Sequence, residues 1–514
     1  MKKHSWIISI SLILCLLVAG LSACAVKPNP DEIADKALEY FYEISKIPRG
    51  SDNEQAISDY LVAFAEENGL MAVQDKARNV LITKPGSVGR EDEPPVILQA
   101  HLDMVCEKNT DSNHNFLTDP IIPIIDGDWL MADGTTLGAD NGSGLAIIMA
   151  VLAAADLSHP PIEAIMTANE DGGTGPGASE FNTSQLEGKR FINLDSEEYG
   201  ALTVCCGGTA GSQATIREEY AAMPQGYTAY ALAVNGLAGG HSAVDIDKDR
   251  ANAIIVMACV LNALDDNTIS LISIKGGTVI NAIPRDCVAV IAFAESDLPK
   301  NQSVITQIET ALKTDYPGEN ITLTLEKTEA PPNIMTHDTM RKVINLIVTT
   351  PNGVLAMSPD FAGLVRTSSN IGLIDTVSDL EFQEGKIQVT VSKMLRSASV
   401  EELDFLIKEI DNEAKRAGAL LSEGSMGASP WQYQEDSPLR NTMTTIYTDM
   451  FGEAPVITGA PGYLECGIFA EKMPDCDFIA IGPTIENAHS PSERMNLPSF
   501  KKTCSYLVKV LEAL

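Results

Sequence analysis

Short apolar runs in the first half of the chain lead to polar residues that can bind metal ions or transfer protons. The runs PPVILQA, IEAIMTAN and KRFINL precede His101, Asp103, Glu170, Asp171 and Asp195. Residues two apart in a strand point to the same face, so His101 and Asp103 are expected on one side of a sheet. The pattern predicts several buried strands that each end in chemically active side chains.

These strands alternate with helical patterns. The segment DEIADKALEYFYEISKI predicts a first helix, and NVLITKPG and PPVILQAHLD predict strands. GADNGSGLAIIMAVLAAADL turns through glycines into an Ala-rich helix. This alternation predicts an α/β fold with a mostly parallel central sheet. Ligands bind beyond the carboxyl ends of the strands in such sheets, which is where the polar residues lie.

The pattern changes near residue 210. Three helices are predicted there, RANAIIVMACVLNAL, SVITQIETALKT and VEELDFLIKEIDNEAKRAG, together with strands such as AVIAFAE and KIQVTVSKML. The last part returns to α/β texture and closes with an amphipathic helix, LPSFKKTCSYLVKVLEAL. We therefore expect a main domain split between residues 31–208 and 430–514. Residues 209–429 would form an inserted α+β domain that acts as a lid.

Composition narrows the function classes. The chain has 514 residues, 45% of them hydrophobic, and a formal net charge of −34. Contacts to nucleic-acid phosphates need Lys and Arg patches, so this charge argues against a nucleic-acid partner. No P-loop, H-E-x-x-H or G-x-S-x-G motif occurs in the sequence, which leaves the corresponding enzyme classes without support.

The N-terminus has the layout of an export signal. Residues 1–23 have a basic start, an apolar stretch and small residues at the end, followed by Cys24. The end, LSAC, resembles the bacterial lipobox, which implies cleavage before Cys24 and its lipidation. The alternative is an ordinary signal peptide with a chance cysteine. Residues 24–30 would be a short tether, and the protein would be anchored to the extracytoplasmic side of a bacterial membrane.

The remaining cysteines and three histidines have simpler interpretations. The cysteines are scattered without a C-x-x-C motif, so we expect mostly buried thiols rather than a disulfide framework or a zinc ribbon. His114, His159 and His337 lie in polar or Pro-rich stretches. We expect these three at the surface.

The other candidates form a set with the chemistry of a metal site: His101, Asp103, Asp140, Glu170, Asp171, Asp195 and His489. Imidazole nitrogen and carboxylate oxygen suit zinc, and also manganese or cobalt. A carboxylate that bridges two metals holds them about 3.5–4 Å apart, as two-metal hydrolases require. A further carboxylate would serve as general base, and the adjacent acids Glu170 and Asp171 could divide the tasks of base and ligand.

Eight segments together resemble one family: LQAHLDMV, TTLGADNGSGLA, TANEDGG, NLDSEE, GGHSAVDI, GGTVINAIPR, YLECG and FIAIGPTIENAHSPSE. It is the dinuclear zinc metallopeptidase family of aminoacyl-histidine dipeptidases, tripeptidases and aminoacylases. HLDMV and IGPTIENAHSPSE are most similar to the branch of Xaa-His and non-specific dipeptidases. The resemblance covers the chain after about residue 31 and implies a zinc-exopeptidase-type catalytic domain with a lid. In relatives, such a lid often mediates dimerisation.

The resemblance also implies residue roles. His101, Asp140 and Asp195 would hold one metal ion, and Asp140, Asp171 and His489 the other, with Asp140 bridging. Asp103 would orient the His101 ring, and Glu170 would be the general base. His241 would bind the substrate or polarise its scissile carbonyl, and Asn281, Arg396 and Glu465 would bind substrate. A cis peptide bond is expected between Asp140 and Asn141.

Two departures from the family pattern affect these expectations. The family usually has Glu-Glu where this chain has Glu170-Asp171, so the second metal site could have altered affinity. Pro461 and Tyr463 replace a His and a Gly of the favoured branch, which weakens the case for histidine dipeptides. We therefore expect a metal-dependent dipeptidase. The alternatives are an aminoacylase, a tripeptidase or a carboxypeptidase of the same family, or a peptide-binding lipoprotein without turnover.

Overall fold

A computed structural model describes residues 29–172, 176–265, 267–329, 333–378 and 386–514. The predicted signal segment and Cys24 lie outside these residues. The helices of the described chain are α1 Pro30–Ile44, α2 Gln55–Glu67, α3 Ala139–Ala153, α4 Ala253–Leu264, α5 Leu298–Asp315, α6 His337–Thr349, α7 Val400–Arg416, α8 Pro438–Phe451, α9 Cys466–Lys472 and α10 Leu497–Ala513. Within the described ranges, no helix combines the length and the apolar character needed to cross a membrane.

The strands of the first half are β1 Met71–Gln74, β2 Val80–Lys84, β3 Val96–His101, β4 Pro123–Asp126, β5 Trp129–Ala132, β6 Ile162–Thr167, β7 Arg190–Asn193, β8 Ala201–Cys206, β9 Gly208–Ala222, β10 Tyr227–Asn235 and β11 Gly240–His241. Those of the second half are β12 Ser270–Gly276, β13 Ala282–Ile283, β14 Cys287–Ala294, β15 Thr322–Lys327, β16 Asn333–Met335, β17 Gly353–Met357, β18 Val365–Ser378, β19 Lys386–Ser397, β20 Leu420–Ala428, β21 Val456–Ala460, β22 Asp477–Ala480, β23 Ile485–Glu486 and β24 Arg494–Asn496.

The chain forms two compact units. The first contains the described residues up to Gly200, with Pro438–Pro455 and Ile481–Leu514. The second contains Ala201–Ser437 and Val456–Ala480. Each unit has its own sheets and its own buried apolar residues, so each is described by itself.

In the first unit, five strands are adjacent in the order β1-β2-β6-β3-β7. The α/β class is confirmed, but the sheet is mixed rather than mostly parallel. β3 pairs in parallel with β6 and β7, whereas β2 pairs antiparallel with both β1 and β6. Every residue of β3 and β6 is buried, as expected for central strands covered on both faces. The antiparallel strands are added at one edge and leave the parallel centre intact.

Helices cover this sheet through apolar positions at helical spacing. Phe41 of α1, Ile148 of α3 and Phe500 of α10 are fully buried. The Ala-rich α3 is buried along almost its whole length, so its small residues allow close packing against neighbouring elements. A second sheet of this unit has the order β23-β24-β5-β4.

The second unit is built on an antiparallel sheet. Its strands follow the order β15-β10-β14-β12-β18-β19-β9-β16, with β17 on β18 and β20 on β9. Leu232, Ile274 and Phe293 of the sheet pack in one core with residues of α4 and α6 such as Met257 and Ile344. This combination of helices and an antiparallel sheet is the α+β arrangement expected for the middle of the chain.

Two minor expectations had different outcomes. The eight cysteines of the described residues are free thiols, and six of them, Cys205, Cys206, Cys287, Cys466, Cys476 and Cys504, are buried, as predicted. His337 is exposed, but His159 is buried, contrary to the prediction. The reason is backbone pairing: the carbonyl of His159 accepts a hydrogen bond from the amide of Ser87, which fixes the turn before β6 against a neighbouring loop.

Candidate metal centre

Three adjacent strands of the first unit deliver predicted site residues to one edge of the sheet. β3 ends at His101, β6 is followed by Glu170 and Asp171, and β7 is followed by Asp195. Because β3 runs parallel to both neighbours, the three carboxyl ends meet at the same edge. The pairing of His101 with Thr167 places the start of the Glu170 loop directly beside the histidine.

The first ligand group consists of His101, Asp140 and Asp195. Nε2 of His101 lies 3.0 Å from Oδ1 of Asp140 and 3.5 Å from Oδ1 of Asp195. The three donor atoms all lie within 4.8 Å of one another. Donors bound tetrahedrally to one zinc ion at about 2.0–2.2 Å are themselves about 3.2–3.6 Å apart. The spacing of this group is therefore close to that of a metal site.

The second group shares Asp140 with the first. Nε2 of His489 lies 2.9 Å from Oδ2 of Asp140 and 3.1 Å from Oδ1 of Asp171. The two oxygens of Asp140 thus face different histidines, which is the arrangement that a bridging carboxylate needs. The peptide bond between Asp140 and Asn141 is cis, which confirms the expectation. Although Asp171 is shorter than the usual Glu, its carboxylate reaches the group.

Asp103 contacts both His101 and the loop that carries Glu170 and Asp171. Its Oδ1 lies 3.3 Å from Nδ1 of His101. The same carboxylate accepts hydrogen bonds from the backbone amides of Glu170 and Asp171, both at 3.1 Å, and from Oγ of Ser51 at 2.7 Å. Asp103 therefore lies beside the His101 ring and fixes the start of the loop that carries the two acids.

The carboxylates of the two ligand groups and the two histidines shift one another's pKa values. Hydrogen bonds to Asp140 and Asp171 raise the pKa of His489 to about 11. Burial opposes protonation of His101, yet the charges of Asp195 and Asp171 hold the pKa of that ring well above its ordinary value. Burial raises the pKa of Asp195 to about 7. Cations would replace these protons, because metal ligands bind in their deprotonated forms.

The carboxylate of Asp171 provides a direct test of whether the residues fit a cation. Its side chain is 1% exposed, and its cationic partner among the described residues is the ring of His489, which it shares with Asp140. Burial raises the pKa of this carboxyl, and the charge of Asp140 raises it further. Two buried carboxylates that share one ring are costly in free energy unless further positive charge is bound there. The donor set of nitrogen and oxygen atoms suits zinc, manganese or cobalt.

Glu170 stands beside the ligands without belonging to either group. Its Oε2 lies 3.9 Å from Nε2 of His101, and its backbone amide is held by Asp103. The side chain is mostly buried, with 12% exposed. A carboxylate in this position can accept a proton next to the ligand groups while leaving the ligand positions to other residues.

The second unit brings three of the other predicted residues together. The backbone amide of Ser242, next to His241, donates to the carbonyl of Asn281 at 2.9 Å. Nε of Arg396 donates to Oγ of Ser242 at 3.4 Å. Glu465 lies on a different element, buried immediately before α9. Arg396 is 7% exposed, and burial lowers the pKa of its guanidinium to about 10, so it remains charged at neutral pH.

Sequence reasoning missed two buried residues that hold the site together, Arg49 and Glu493. Nη1 of Arg49 donates to the carbonyls of Leu102 and Asp103 at 2.9 and 2.7 Å, and its Nη2 donates to the carbonyl of Gly138. The carboxylate of Glu493 accepts hydrogen bonds from backbone amides that lead to Asp140. The sequence offered only an indirect signal, because the start of a buried helix always needs acceptors for its free amides.

Comparisons with known proteins identify the family and agree with the fold. The model of peptidase family M20/M25/M40 matches residues 97–513. The chain is 34% identical over 479 residues to the cytosol non-specific dipeptidase of Escherichia coli (strain K12), an alignment that covers 92% of this chain and 96% of that protein. The chain therefore belongs to peptidase family M20/M25/M40, which confirms the resemblance seen in the motifs.

Solved structures extend the agreement. The crystal structure of aminoacylhistidine dipeptidase from Vibrio alginolyticus matches with a TM-score of 0.80 and 33% identity, over 93% of this chain and 96% of that one. Aminopeptidase PepT from Bacillus cereus matches with a TM-score of 0.56 and 15% identity, over 93% of this chain and 98% of that one. The second likeness is one of fold alone, whereas the first also extends to sequence.

Proposed function

We propose that this protein is a metal-dependent dipeptidase whose reaction takes place at the centre around Asp140. The single observation that carries the proposal is the pair of ligand groups that share Asp140, with Glu170 beside them. The two relatives at 34% and 33% identity are both dipeptidases by name, which supports dipeptides or very short peptides as the substrate class.

The residues of the centre would hold two divalent cations. His101, Asp140 and Asp195 would bind one, and Asp140, Asp171 and His489 the other. Zinc is the metal that we propose, with manganese and cobalt as the alternatives that the same donor set admits. When bound, two such cations polarise a carbonyl group and lower the pKa of water.

Glu170 supplies the proton transfers. As general base it takes a proton from the attacking water, and it then returns that proton to the amine that leaves when the peptide bond breaks. Asp103 keeps the His101 ring in one orientation and anchors the backbone at Glu170, so the base is held at a fixed position beside the ligands.

From the family resemblance we assign substrate binding to His241, Asn281, Arg396 and Glu465. Arg396 is suited to a carboxylate because its charge is buried and its fork can donate two parallel hydrogen bonds. A free carboxylate is present at the C-terminal end of every dipeptide. Pro461 and Tyr463, which replace the His and Gly of the favoured branch, lead us to propose a substrate range wider than histidine dipeptides.

The proposal is tested by metal analysis of the purified protein together with hydrolysis of a peptide panel before and after chelation. We expect bound metal, cleavage of dipeptides, loss of turnover with a chelator and recovery with zinc or manganese. Preference for N-acyl amino acids, for tripeptides or for C-terminal residues of longer peptides would instead indicate an aminoacylase, a tripeptidase or a carboxypeptidase. Peptide binding without turnover would indicate a binding protein.

For location, we propose an exported lipoprotein that is anchored through Cys24, on the basis of the LSAC segment. The protein should then fractionate with bacterial membranes, and Cys24→Ser should release it. Wild-type protein found unlipidated in the soluble fraction would contradict this. The family resemblance also leads us to propose a homodimer formed through the second unit, which sedimentation analysis of the detergent-free protein would test.

A further inference from the structure

A buried glutamate of the first unit accepts hydrogen bonds from four consecutive backbone amides. Oε2 of Glu493 accepts from Leu137 at 2.7 Å and Gly138 at 2.8 Å. Oε1 accepts from Ala139 at 2.7 Å and from Asp140 at 3.2 Å. The side chain is 2% exposed, so water does not compete for these bonds. The carboxylate of Glu493 thus fixes the backbone of residues 137–140, and Asp140 is the residue that the two ligand groups share.

The local backbone explains why an acceptor is needed at this place. α3 begins at Ala139, and Gly138 before it is in the left-handed region with a φ of 71° and provides no side-chain cap. The first amides of a helix have no partner within the helix. Asp140 also has a non-helical conformation, with φ −81° and ψ 114°, so this turn is not held by ordinary helical hydrogen bonds.

The same glutamate belongs to the segment that carries His489. Its own amide donates to the carbonyl of Ser490 at 3.0 Å, which closes a turn directly after the histidine. His489 itself has a φ of 61°, in the left-handed region, so its backbone must be held by its surroundings. Glu493 therefore links two segments that each contribute a ligand, and those ligands lie 2.9 Å apart.

The carboxylate does more than cap the helix. Its Oε2 also holds the amides of Leu137 and Gly138, which precede the first residue of α3. Glu493 therefore fixes the whole turn that leads to Asp140.

We propose that Glu493 is a positioning residue that sets the spacing between the bridging carboxylate of Asp140 and the ring of His489, and thereby the affinity of the second ligand group for its cation. This inference rests on the metal centre of the proposed function. Arg49 holds the same turn through the carbonyl of Gly138, so the two side chains together fix the turn before Asp140.

The test compares Glu493→Gln with a matched control, Glu486→Gln. Gln keeps the size of the side chain, but its amide group cannot accept the two hydrogen bonds of one oxygen. Glu486 lies in the same stretch of chain and pairs with Arg494 near the surface, away from these amides. Three kinds of measurement are made on the purified protein: metal binding (zinc affinity for each ion and the visible spectrum with Co²⁺), kcat and KM, and the unfolding midpoint without metal.

We expect Glu493→Gln to bind one of the two zinc ions about 10–100-fold more weakly. Replacing a residue that holds a metal ligand in place typically has an effect of this size. Its Co²⁺ spectrum should differ from that of the wild type even at saturating metal, and kcat should fall more than KM rises. Glu486→Gln should match the wild type in all three. A merely structural cap would lower the unfolding midpoint and leave the spectrum at saturating metal unchanged.

Wild-type zinc affinity and spectrum in Glu493→Gln would overturn the inference, whatever the unfolding midpoint. If that variant does not fold, Glu493→Asp replaces it. Asp keeps the charge but is one methylene too short to reach the amides in place, so zinc affinity should still fall, and unchanged affinity would again overturn the inference. Failure of the wild type and of Glu486→Gln to bind any metal would instead reject the proposed function.

Discussion

The metal centre and strand β19 both bury charged side chains, but the charges have opposite sign. At the centre, the carboxylates of Asp140, Asp171 and Asp195 surround two histidines. On β19, Lys393 and Arg396 are 2% and 7% exposed, and burial, with no contribution from a carboxylate, lowers the pKa of each. Nζ of Lys393 donates to the carbonyl of Pro351 at 2.8 Å, and Arg396 donates to Ser242.

The difference shows which buried charges need a ligand. A buried charge without a partner costs several kcal/mol unless the group becomes neutral or binds an opposite charge. Burial lowers the pKa of Lys393 to about 7, so this amine can lose its proton at little cost near neutral pH. Arg396 cannot do so, and neither can a cluster of several acids at once. We therefore expect ligands at the metal centre and at Arg396, and none at Lys393.

The largest expected effect is a loss of turnover in Glu170→Gln, which distinguishes the general base from the metal ligands. Glu170→Gln should lower kcat and kcat/KM by about 10²–10⁴-fold, because the lost group acts on protons in the transition state. Metal content should stay near that of the wild type. Glu180→Gln, an exposed glutamate of the same unit, is the control for the charge change. Loss of metal in Glu170→Gln would show that this residue is a ligand.

The second prediction concerns the buried carboxylate of Asp171. Asp171→Asn should weaken binding of one metal ion by more than about 100-fold, because loss of an outer partner alone costs about 10–100-fold. His489→Ala should behave alike, since both residues face Asp140. Excess zinc or manganese should restore part of the turnover. Exposed Asp133→Asn is the control. Full metal occupancy in both variants would place the second cation elsewhere.

The elements that present these residues were predictable because their signals are local. The strand that ends at His101, the strand before Glu170 and the helix after Asp140 each follow from apolar runs and glycines within about twenty residues of sequence. The joint action of Asp140 and His489 came from the family resemblance. No local pattern connects positions that are 349 residues apart.

The supporting contacts were not predictable, again for physical reasons. The partners of Glu493 are backbone amides, which leave no trace in side-chain chemistry, and they lie more than 350 residues away. Strands β24 and β5 have only three and four residues, so neither shows a usable alternation, yet they pair antiparallel next to this segment. The mixed order of the main sheet was missed because the pairing partner of an edge strand is not encoded in its own apolar pattern.

The third prediction tests whether Arg396 binds the carboxylate of the substrate. Arg396→Met keeps the length of the side chain and removes its charge. A charge-assisted hydrogen bond contributes about 1.5–3 kcal/mol, so KM for free dipeptides should rise about 10–150-fold, with a smaller change in kcat. Dipeptide amides should be affected much less. Arg341→Met, which removes a partly exposed arginine that pairs with Asp265, is the control. An unchanged KM for free dipeptides would remove Arg396 from substrate binding.

The smallest expected effect concerns Lys393, where we expect no ligand to bind. Its pKa is about 7 in the folded protein and near 10.5 when exposed, so the unfolded chain binds more protons between these values. The free energy of unfolding therefore rises as pH increases from about 7 to 10.5. Below pH 7, the free-energy cost of burying the charged amine is fully present. Turnover should not depend on it.

Lys393→Met should thus stabilise the protein, by about 1–3 kcal/mol at pH 7 after allowance for the lost hydrogen bond to Pro351. The gain should shrink as the pH approaches 10, which urea unfolding at a series of pH values would measure. Lys275→Met, at an exposed lysine of the same sheet, should show neither the gain nor its pH dependence. Destabilisation of Lys393→Met at pH 7 together with a raised KM would show that the amine does bind an anion, and the contrast between Lys393 and Arg396 would then be wrong.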